Sequence, residues 1–358
     1  MSATAADGRA GRLAGLVARE ELDLLFVSDL TNIRYLTGFA GTNGACLVGP
    51  ELREFLTDFR YTERTEQEVG EGWARPEAER ELLPQIARRM EGRVGFEDGK
   101  LSVRQLSKLS EAVADSVELV PAGDLVEELR AVKDAEEVRR IAAAAALTDE
   151  VYRWAVERGL GGRTERRVAR DCEARIRELD AEPSFPPIVA AGPNGALPHA
   201  EPGEREIEAG ELVVFDMGAQ LDGYCSDCTR TFATGDPGTE ARGVYELVRG
   251  AQQAALEAIR EGAGGRDVDG VARSLIEEAG HGERFGHGTG HGVGLEVHES
   301  PRLAASSEDQ LSAGNVVTVE PGVYLPGRFG VRIEDLVVVT ADGHENLSGL
   351  DKDLLLVD

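Results

Sequence analysis

Two of the most apolar segments of the chain contain acidic residues, and no other feature constrains the fold as strongly. In LVVFDMGAQLDGYCSDCTRTF, Asp216 ends an apolar run and Asp227 follows it after a possible turn. An ionised carboxylate in such a strand is costly unless it is paired or bound to a cation. Asp222-Gly223 is a hairpin signal. A turn centred between residues 221 and 222 would place Asp216 and Asp227 opposite each other, with Cβ atoms about 4.5 to 5.5 Å apart.

The same construction recurs in VVTVEPGVYLPGRFGVRIEDLVVV. Glu320 and Glu334 are equidistant from Gly327 in a Pro-Gly turn signal, so we expect these two carboxylates to oppose each other as well. Arg332 shares the strand face of Glu334, because side chains alternate along a strand. One carboxylate pair could belong to a structural ion-pair network, whereas two pairs favour a cation site.

Between the two pairs lies FGHGTGHGVGLEVHESP, which carries His287, His291 and His298, half of the six histidines in the chain. Its alternating glycines allow close backbone approach and unusual backbone dihedral angles. Three histidines on such a segment favour a functional site. The segment matches neither G-x-G-x-x-G nor H-E-x-x-H, which lowers the support for a dinucleotide site and for a zincin.

Taken in order and in context, these segments resemble the pita-bread metallopeptidases, the superfamily of prolidase, aminopeptidase P and methionine aminopeptidase. DMG, SDCTRTF, HGTGHGVGLEVHE, VEPGVY and GVRIED resemble the prolidase and aminopeptidase P branch in particular. The resemblance implies two divalent metal ions per chain, bridged by two of the ligands and completed by the others. By that resemblance the bridging ligands are Asp227 and Glu334, Asp216 binds one ion, and His291 and Glu320 bind the other. Four carboxylates and one imidazole form a hard ligand set, which favours manganese, with cobalt and zinc as alternatives.

The resemblance also implies catalytic residues that do not bind metal. These are His199 in LPHAEPGE, His287, His298 and Arg332, while Glu320 would additionally carry a proton to the leaving nitrogen. The implied activity is hydrolysis of Xaa-Pro bonds, either at the N-terminus of short peptides or in Xaa-Pro dipeptides.

Proteins of the same fold also have other functions. They are a methionyl or other aminopeptidase, a metal-free amidinohydrolase such as creatinase, and a non-catalytic pita-bread binding protein. The last two lose metal ligands as a rule, whereas all five ligand positions are present here.

Two domains are expected in the 358 residues. Apolar runs at 22–27, 45–48 and 54–57 and an amphipathic helix at 12–18 predict a smaller α/β domain over 1–130, and YLTGFAGTNG resembles the creatinase/prolidase N-terminal domain. Residues 131–358 are predicted to form the catalytic α+β domain, with the pseudo-twofold antiparallel sheet and helices of the pita-bread fold. Asp134 and Glu137 form a capping box for its first long helix, and Thr164 can cap the next.

The net charge of −27 restricts the partners. Such a surface repels phosphate backbones and anionic lipids, which excludes nucleic acid and membranes as main partners. No apolar stretch has the length of a leader or of a membrane span, so a cytoplasmic protein is expected. Only four of the 39 basic residues are lysines, which fits a salt-rich cytosol, with GC-rich coding as the alternative. The family resemblance adds short peptide substrates and a homodimer.

Cys225 and Cys228 form a C-x-x-C without a second pair, which argues against a four-thiolate zinc site. Strand alternation places these two residues on opposite faces, so both are expected to be structural.

Overall fold

Short buried apolar runs form the sheet of the first of two structural units, Met1–Arg130 and Ala131–Asp358. The structure is a computed structural model that describes residues 3–76 and 81–357. The strands of the first unit are β1 (Leu24–Val27), β2 (Ala45–Val48), β3 (Arg53–Leu56), β4 (Arg93–Phe96) and β5 (Glu118–Pro121). Its helices are α1 (Ala3–Arg19), α2 (Leu30–Thr37), α3 (Thr62–Glu68), α4 (Leu82–Ala87), α5 (Val103–Ala112) and α6 (Leu125–Ala131).

The sheet of this unit has the order β3-β2-β1-β4-β5. β1, β4 and β5 run parallel, whereas β2 and β3 are antiparallel to their neighbours. Parallel neighbours require a crossover, which α5 supplies between β4 and β5. The α/β character predicted for this part of the chain is confirmed.

The described residues of the second unit form four long helices, and the sequence predicted the starts of the first two. They are α7 (Ala135–Glu157), α8 (Glu165–Glu178), α9 (Thr239–Ala258) and α10 (Gly265–Glu278). The predicted capping box of Asp134 and Glu137 begins α7, and the Thr164 hydroxyl caps α8 by accepting a hydrogen bond from the Arg167 amide at 3.2 Å.

Every named strand pair of this unit is antiparallel, as expected for the predicted α+β class. The strands are β6 (Glu182–Pro183), β7 (Ile188–Ala191), β8 (Leu212–Met217), β9 (Ala219–Leu221), β10 (Tyr224–Cys225), β11 (Cys228–Ala233), β12 (Gly290–Gly292), β13 (Glu299–Leu303), β14 (Val316–Val319), β15 (Gly322–Leu325), β16 (Phe329–Arg332), β17 (Asp335–Val339) and β18 (His344–Asn346).

Two hydrophobic clusters of this unit are built alike. In one, α7 and α8 pack on β7, β8 and β11; in the other, α9 and α10 pack on β14 and β17. Phe215 and Met217 point toward the helices in the first cluster, and Val317 and Val319 do so in the second. Because side chains alternate along a strand, Asp216 lies on the opposite face, away from the helices.

The predicted pairing of Asp216 with Asp227 is wrong. In the β8–β11 ladder Asp216 pairs with Thr229. Asp222 and Gly223 both have left-handed φ values, 50° and 86°, so the turn is centred between these two residues rather than before them. Asp227 consequently lies diagonal to Asp216, two residues from the predicted register and still on the same face.

The predicted register of the second hairpin is confirmed. Val319 pairs with Asp335 and Gly322 with Arg332, so both ladders are centred on residue 327. Between the ladders the main chain of the two acidic residues bonds elsewhere. The Glu320 amide donates to Thr289 O at 2.7 Å, and the Glu334 amide donates to Thr229 O at 3.1 Å.

Candidate metal centre

Five side chains predicted to bind metal occupy one site on the face of the strands that points away from the helices. Of these, the ligand atoms of Asp227, His291 and Glu334 all lie within 4.8 Å of one another. The Nε2 atom of His291 is 3.6 Å from Asp227 Oδ2 and 3.3 Å from Glu320 Oε1. Its Nδ1 atom is 3.0 Å from Gly292 O, which leaves Nε2 to face the carboxylates.

Asp216 joins this cluster through Arg332. The guanidinium donates to Asp216 Oδ2 at 2.6 Å and to the Tyr324 hydroxyl at 2.9 Å, and it also contacts Thr229 Oγ1 at 3.0 Å and Pro198 O at 3.1 Å. Arg332 is only 4% exposed, so these four contacts hold its charge in one place.

Burial and neighbouring charges shift the pKa values of the carboxylates. Burial, together with the charges of Glu334, Asp216 and Glu320, raises the pKa of Asp227 well above its ordinary value. Burial and the charges of Glu320 and Asp216 likewise raise the pKa of Glu334. Burial opposes ionisation of Glu320 too, but the hydrogen bond and the charge of His291 outweigh it and lower the pKa of Glu320 to about 2.

Two carboxylate oxygens in this cluster are buried without a hydrogen-bond partner in the described part of the chain. They are Asp216 Oδ1 and Glu334 Oε1. An unpartnered buried carboxylate oxygen is unfavourable, and a cation among the ligands would satisfy both oxygens and relieve the repulsion between the acids. These residues therefore fit a site for divalent metal.

Three further histidines lie around the carboxylates. His287 Nε2 is 2.9 Å from the Tyr324 hydroxyl, and burial lowers the pKa of His287. The His298 ring centre is 4.4 Å from that of His291, and burial followed by the His291 charge lowers the pKa of His298. His199 is exposed, and its charge contributes to lowering the pKa of both His287 and His298. The structure thus gathers every sequence-predicted site residue around one centre.

Thr229 and Tyr324 were not among the predicted site residues, although both contact several of them. The Thr229 hydroxyl accepts from Arg332 Nε and donates to Glu334 Oε2 at 2.8 Å. The alternation of side chains along a strand would have identified Thr229, because it lies two residues after Asp227 and on the same face.

The glycine-rich segment uses one of the two properties that its glycines allow. A Cβ atom at Gly290 would lie 2.0 Å from Thr318 O, so close approach is the reason for glycine there. None of the alternating glycines at 286–294, all of them described, has a left-handed φ. The left-handed backbone angles that glycine allows are therefore not used in this segment.

Both cysteines of the C-x-x-C are buried and bond to main-chain carbonyls, as structural residues do. Cys225 Sγ donates to Leu295 O at 3.7 Å, and Cys228 Sγ donates to Glu334 O at 3.6 Å.

A buried arginine supports the main chain next to Glu334. Arg230 pairs with Asp335 Oδ1 at 2.7 Å and donates to the carbonyl of Glu334. It also donates to Leu350 O at 2.8 Å and to Asp351 O at 3.0 Å, which attaches the last part of the chain to the site.

Comparison with known families matches both structural units of the chain. Residues 139–341 match the model of metallopeptidase family M24, and residues 9–132 match the creatinase/prolidase N-terminal domain. The chain belongs to metallopeptidase family M24. The pita-bread fold and the peptidase activity that the resemblance implied are confirmed, and family membership implies divalent metal ions.

Relatives of this M24 peptidase match it over nearly its whole length. The Xaa-Pro dipeptidase of Pyrococcus furiosus is 34% identical over 97% of this chain and 99% of its own. A solved Xaa-Pro dipeptidase from Bacillus anthracis superposes with a TM-score of 0.94 at 36% identity, covering 98% of this chain and 100% of that one. The X-Pro aminopeptidase of Thermotoga maritima superposes with a TM-score of 0.88 at 32% identity, covering 98% of this chain and 100% of that one.

Proposed function

We propose that this M24 peptidase hydrolyses the Xaa-Pro bond of dipeptides. The observation that carries the hydrolytic centre is the buried cluster of Asp227, His291 and Glu334, whose ligand atoms lie within 4.8 Å of one another. Proline specificity rests on the similarity to Xaa-Pro dipeptidases over the full length of this chain.

Two divalent ions, preferably manganese, would be held by the five predicted ligands. Asp227 and Glu334 would contact both ions, Asp216 would add a ligand to one of them, and His291 and Glu320 would add ligands to the other. Divalent cations at such a site supply Lewis-acid polarisation of a carbonyl oxygen and acidify water.

The protein groups supply proton transfer and orientation. Glu320 as a carboxylate can accept a proton from the attacking water. It then delivers this proton to the leaving proline nitrogen, which departs as a secondary amine. His298 or His199 donates a hydrogen bond to the developing oxyanion. Arg332 orients Asp216 and opposes the burial that raises the pKa of this carboxyl, and its contact with Tyr324 orders the partner of His287.

Metal content and substrate length test the proposal together. Purified protein is expected to hold about two divalent ions per chain by mass spectrometry, to lose activity with a chelator and to regain it with manganese. Turnover of Xaa-Pro should exceed that of Xaa-Pro-Yaa. Full activity in thoroughly metal-stripped protein would overturn the metal mechanism.

An Xaa-Pro aminopeptidase is the second candidate. The similarity to the X-Pro aminopeptidase of Thermotoga maritima supports it, and faster cleavage of Xaa-Pro-Yaa would select it. Cleavage of peptides without proline would favour a broader aminopeptidase instead.

The proposed cellular setting is a homodimer in a salt-rich cytoplasm. The family resemblance supports the dimer, and the net charge of −27 supports the salt-rich setting. No helix in the described residues is long and apolar enough to cross a membrane. Light scattering of the purified protein measures the oligomeric state directly.

A further inference from the structure

The segment that carries His287 and His291 has glycine at every second position from 286 to 294. A glycine-rich main chain loses more conformational freedom on folding than any other. The two imidazoles can therefore keep one orientation only if contacts from outside the segment hold its main chain.

Two side chains of α10 provide such contacts. Arg273 and Asp269 form a two-point ion pair, with Nε–Oδ2 at 2.7 Å and Nη2–Oδ1 at 2.9 Å. Arg273 also donates to Phe285 O at 2.9 Å and to His287 O at 2.7 Å. Asp269 Oδ1 accepts from the amide and the hydroxyl of Thr289 at 3.0 and 2.9 Å.

These bonds hold every second residue from 285 to 289, the positions between the glycines. Thr289 O in turn accepts the Glu320 amide at 2.7 Å, so the same anchor reaches a predicted metal ligand. The Arg273 guanidinium lies 4.3 Å from the centre of the Phe285 ring, and that ring meets His287 edge-on at 5.1 Å. The anchor thus acts on the His287 ring as well as on its main chain.

We propose that the Asp269–Arg273 ion pair is a positioning device that orients His287 and Glu320 for catalysis. The inference rests on the proposed function, because the catalytic roles of those residues do. The planar guanidinium is essential to it, since one lysine ammonium cannot reproduce the fork that reaches a carboxylate and two carbonyls.

Arg273→Lys tests the proposal, because this variant keeps the charge and removes the fork. Asp269→Asn is the second variant, since it keeps an acceptor for Thr289 and releases the arginine. Asp171→Asn is the matched control. Asp171 on α8 pairs with Arg163 at 2.6 Å, and Arg163 donates to Gly159 O at 3.0 Å. This ion pair therefore also holds a turn, and that turn contains no site residues.

Amide hydrogen exchange in the metal-free full chain is the first measurement. The Thr289 and Glu320 amides are expected to exchange at least about tenfold faster in both test variants and at the wild-type rate in the control. The second measurement is turnover of Xaa-Pro by manganese-loaded protein. Here kcat should fall about tenfold or more with KM within about twofold, because misplaced groups weaken the transition state.

Unchanged exchange at Thr289 and Glu320 would overturn the proposal whatever the activity shows. Faster amide exchange in the variants together with a wild-type kcat would also overturn the proposal. The ion pair would then stabilise the segment without orienting its catalytic groups. If wild-type protein fails to cleave Xaa-Pro, the proposed function fails, and exchange alone decides whether the pair anchors the segment.

Discussion

The hydroxyl of Thr229 lies between two charged side chains of the metal centre and bonds both of them. It accepts from Arg332 Nε at 3.0 Å and donates to Glu334 Oε2 at 2.8 Å. Thr229 is completely buried, so no solvent can replace the hydroxyl. One small side chain therefore fixes the relative position of a guanidinium and a predicted bridging carboxylate.

Thr229→Val keeps the shape of the side chain and removes both bonds. We expect the free energy of unfolding to fall by about 1 to 3 kcal/mol, because two buried charged groups lose a partner. Urea denaturation measures the change. Thr229→Ser retains the hydroxyl and should stay close to wild type; an equal loss in the serine variant would assign the effect to the methyl group instead.

Glu334→Gln separates a metal ligand from a structural residue. The amide keeps size and strand propensity but removes the charge, so activity should fall by at least about a hundredfold while the protein stays folded. Circular dichroism and metal analysis accompany the assay. Loss of the fold with metal still bound would show that Glu334 is structural.

The stabilisation by added manganese should grow with pH. The raised pKa values of Asp227 and Glu334 mean that the folded metal-free protein holds protons that the unfolded chain has released. Its stability therefore falls as the pH rises above the ordinary values of 3.8 and 4.5. Because metal binds the ionised carboxylates, the gain in Tm on adding manganese should be larger at pH 8 than at pH 5.5. Thermal melts at both values check this, and an equal gain would contradict it.

Among the elements, the two hairpins differ in how far their sequences predicted them. Glu320 and Glu334 are equally far from Gly327 along the chain, and this spacing predicted the register of the second hairpin correctly. Both ladders of that hairpin are centred on residue 327. The first register depends on which two residues occupy the turn, and the left-handed φ of Asp222 decides that. The diagonal placement of Asp227 relative to Asp216 follows from the φ angle of Asp222, and the pattern of apolar residues does not reveal that angle.

Helix starts were the most predictable features, since Asp134 and Thr164 cap through local chemistry. Arg273 was missed because two carbonyl groups that it contacts, those of Phe285 and His287, lie outside its helix. Long-range hydrogen bonds leave no periodic signal.

Gly290→Ala tests whether close approach is what the glycine-rich segment requires. The added Cβ would lie 2.0 Å from Thr318 O, so main chain must move. We expect a loss of about 1 to 3 kcal/mol or more in the free energy of unfolding. Gly286→Ala is the control in the same segment, because nothing lies within 4 Å of its added Cβ. Similar losses in both variants would point to a need for flexibility rather than space.

The whole molecule carries 66 acidic and 39 basic side chains, and only four of the latter are lysines. Many arginines pair locally, as Arg328 does with Glu240 and Arg175 does with Glu150. Such exposed pairs contribute little to stability. The excess negative charge therefore remains a repulsion that depends on ionic strength.

Salt should stabilise the fold. The Debye length is about 30 Å at 0.01 M and about 3 Å at 1 M, so added salt shortens the range of repulsion. We predict that Tm and peptidase activity both rise between about 0.1 M and 2 M potassium chloride. A thermal unfolding series decides the matter. A flat or falling midpoint would remove the salt-adapted interpretation and leave the M24 assignment unaffected.

The contacts of Arg230 have a consequence for synthesis on the ribosome. The carbonyl groups of Leu350 and Asp351 follow Arg230 by 120 and 121 residues. Until those residues leave the exit tunnel, the guanidinium lacks two of its acceptors, and burying it beside Asp335 is unfavourable. A nascent chain can thus form its strands early, but the support beneath Glu334 is incomplete until Leu350 and Asp351 have been synthesised and contact Arg230.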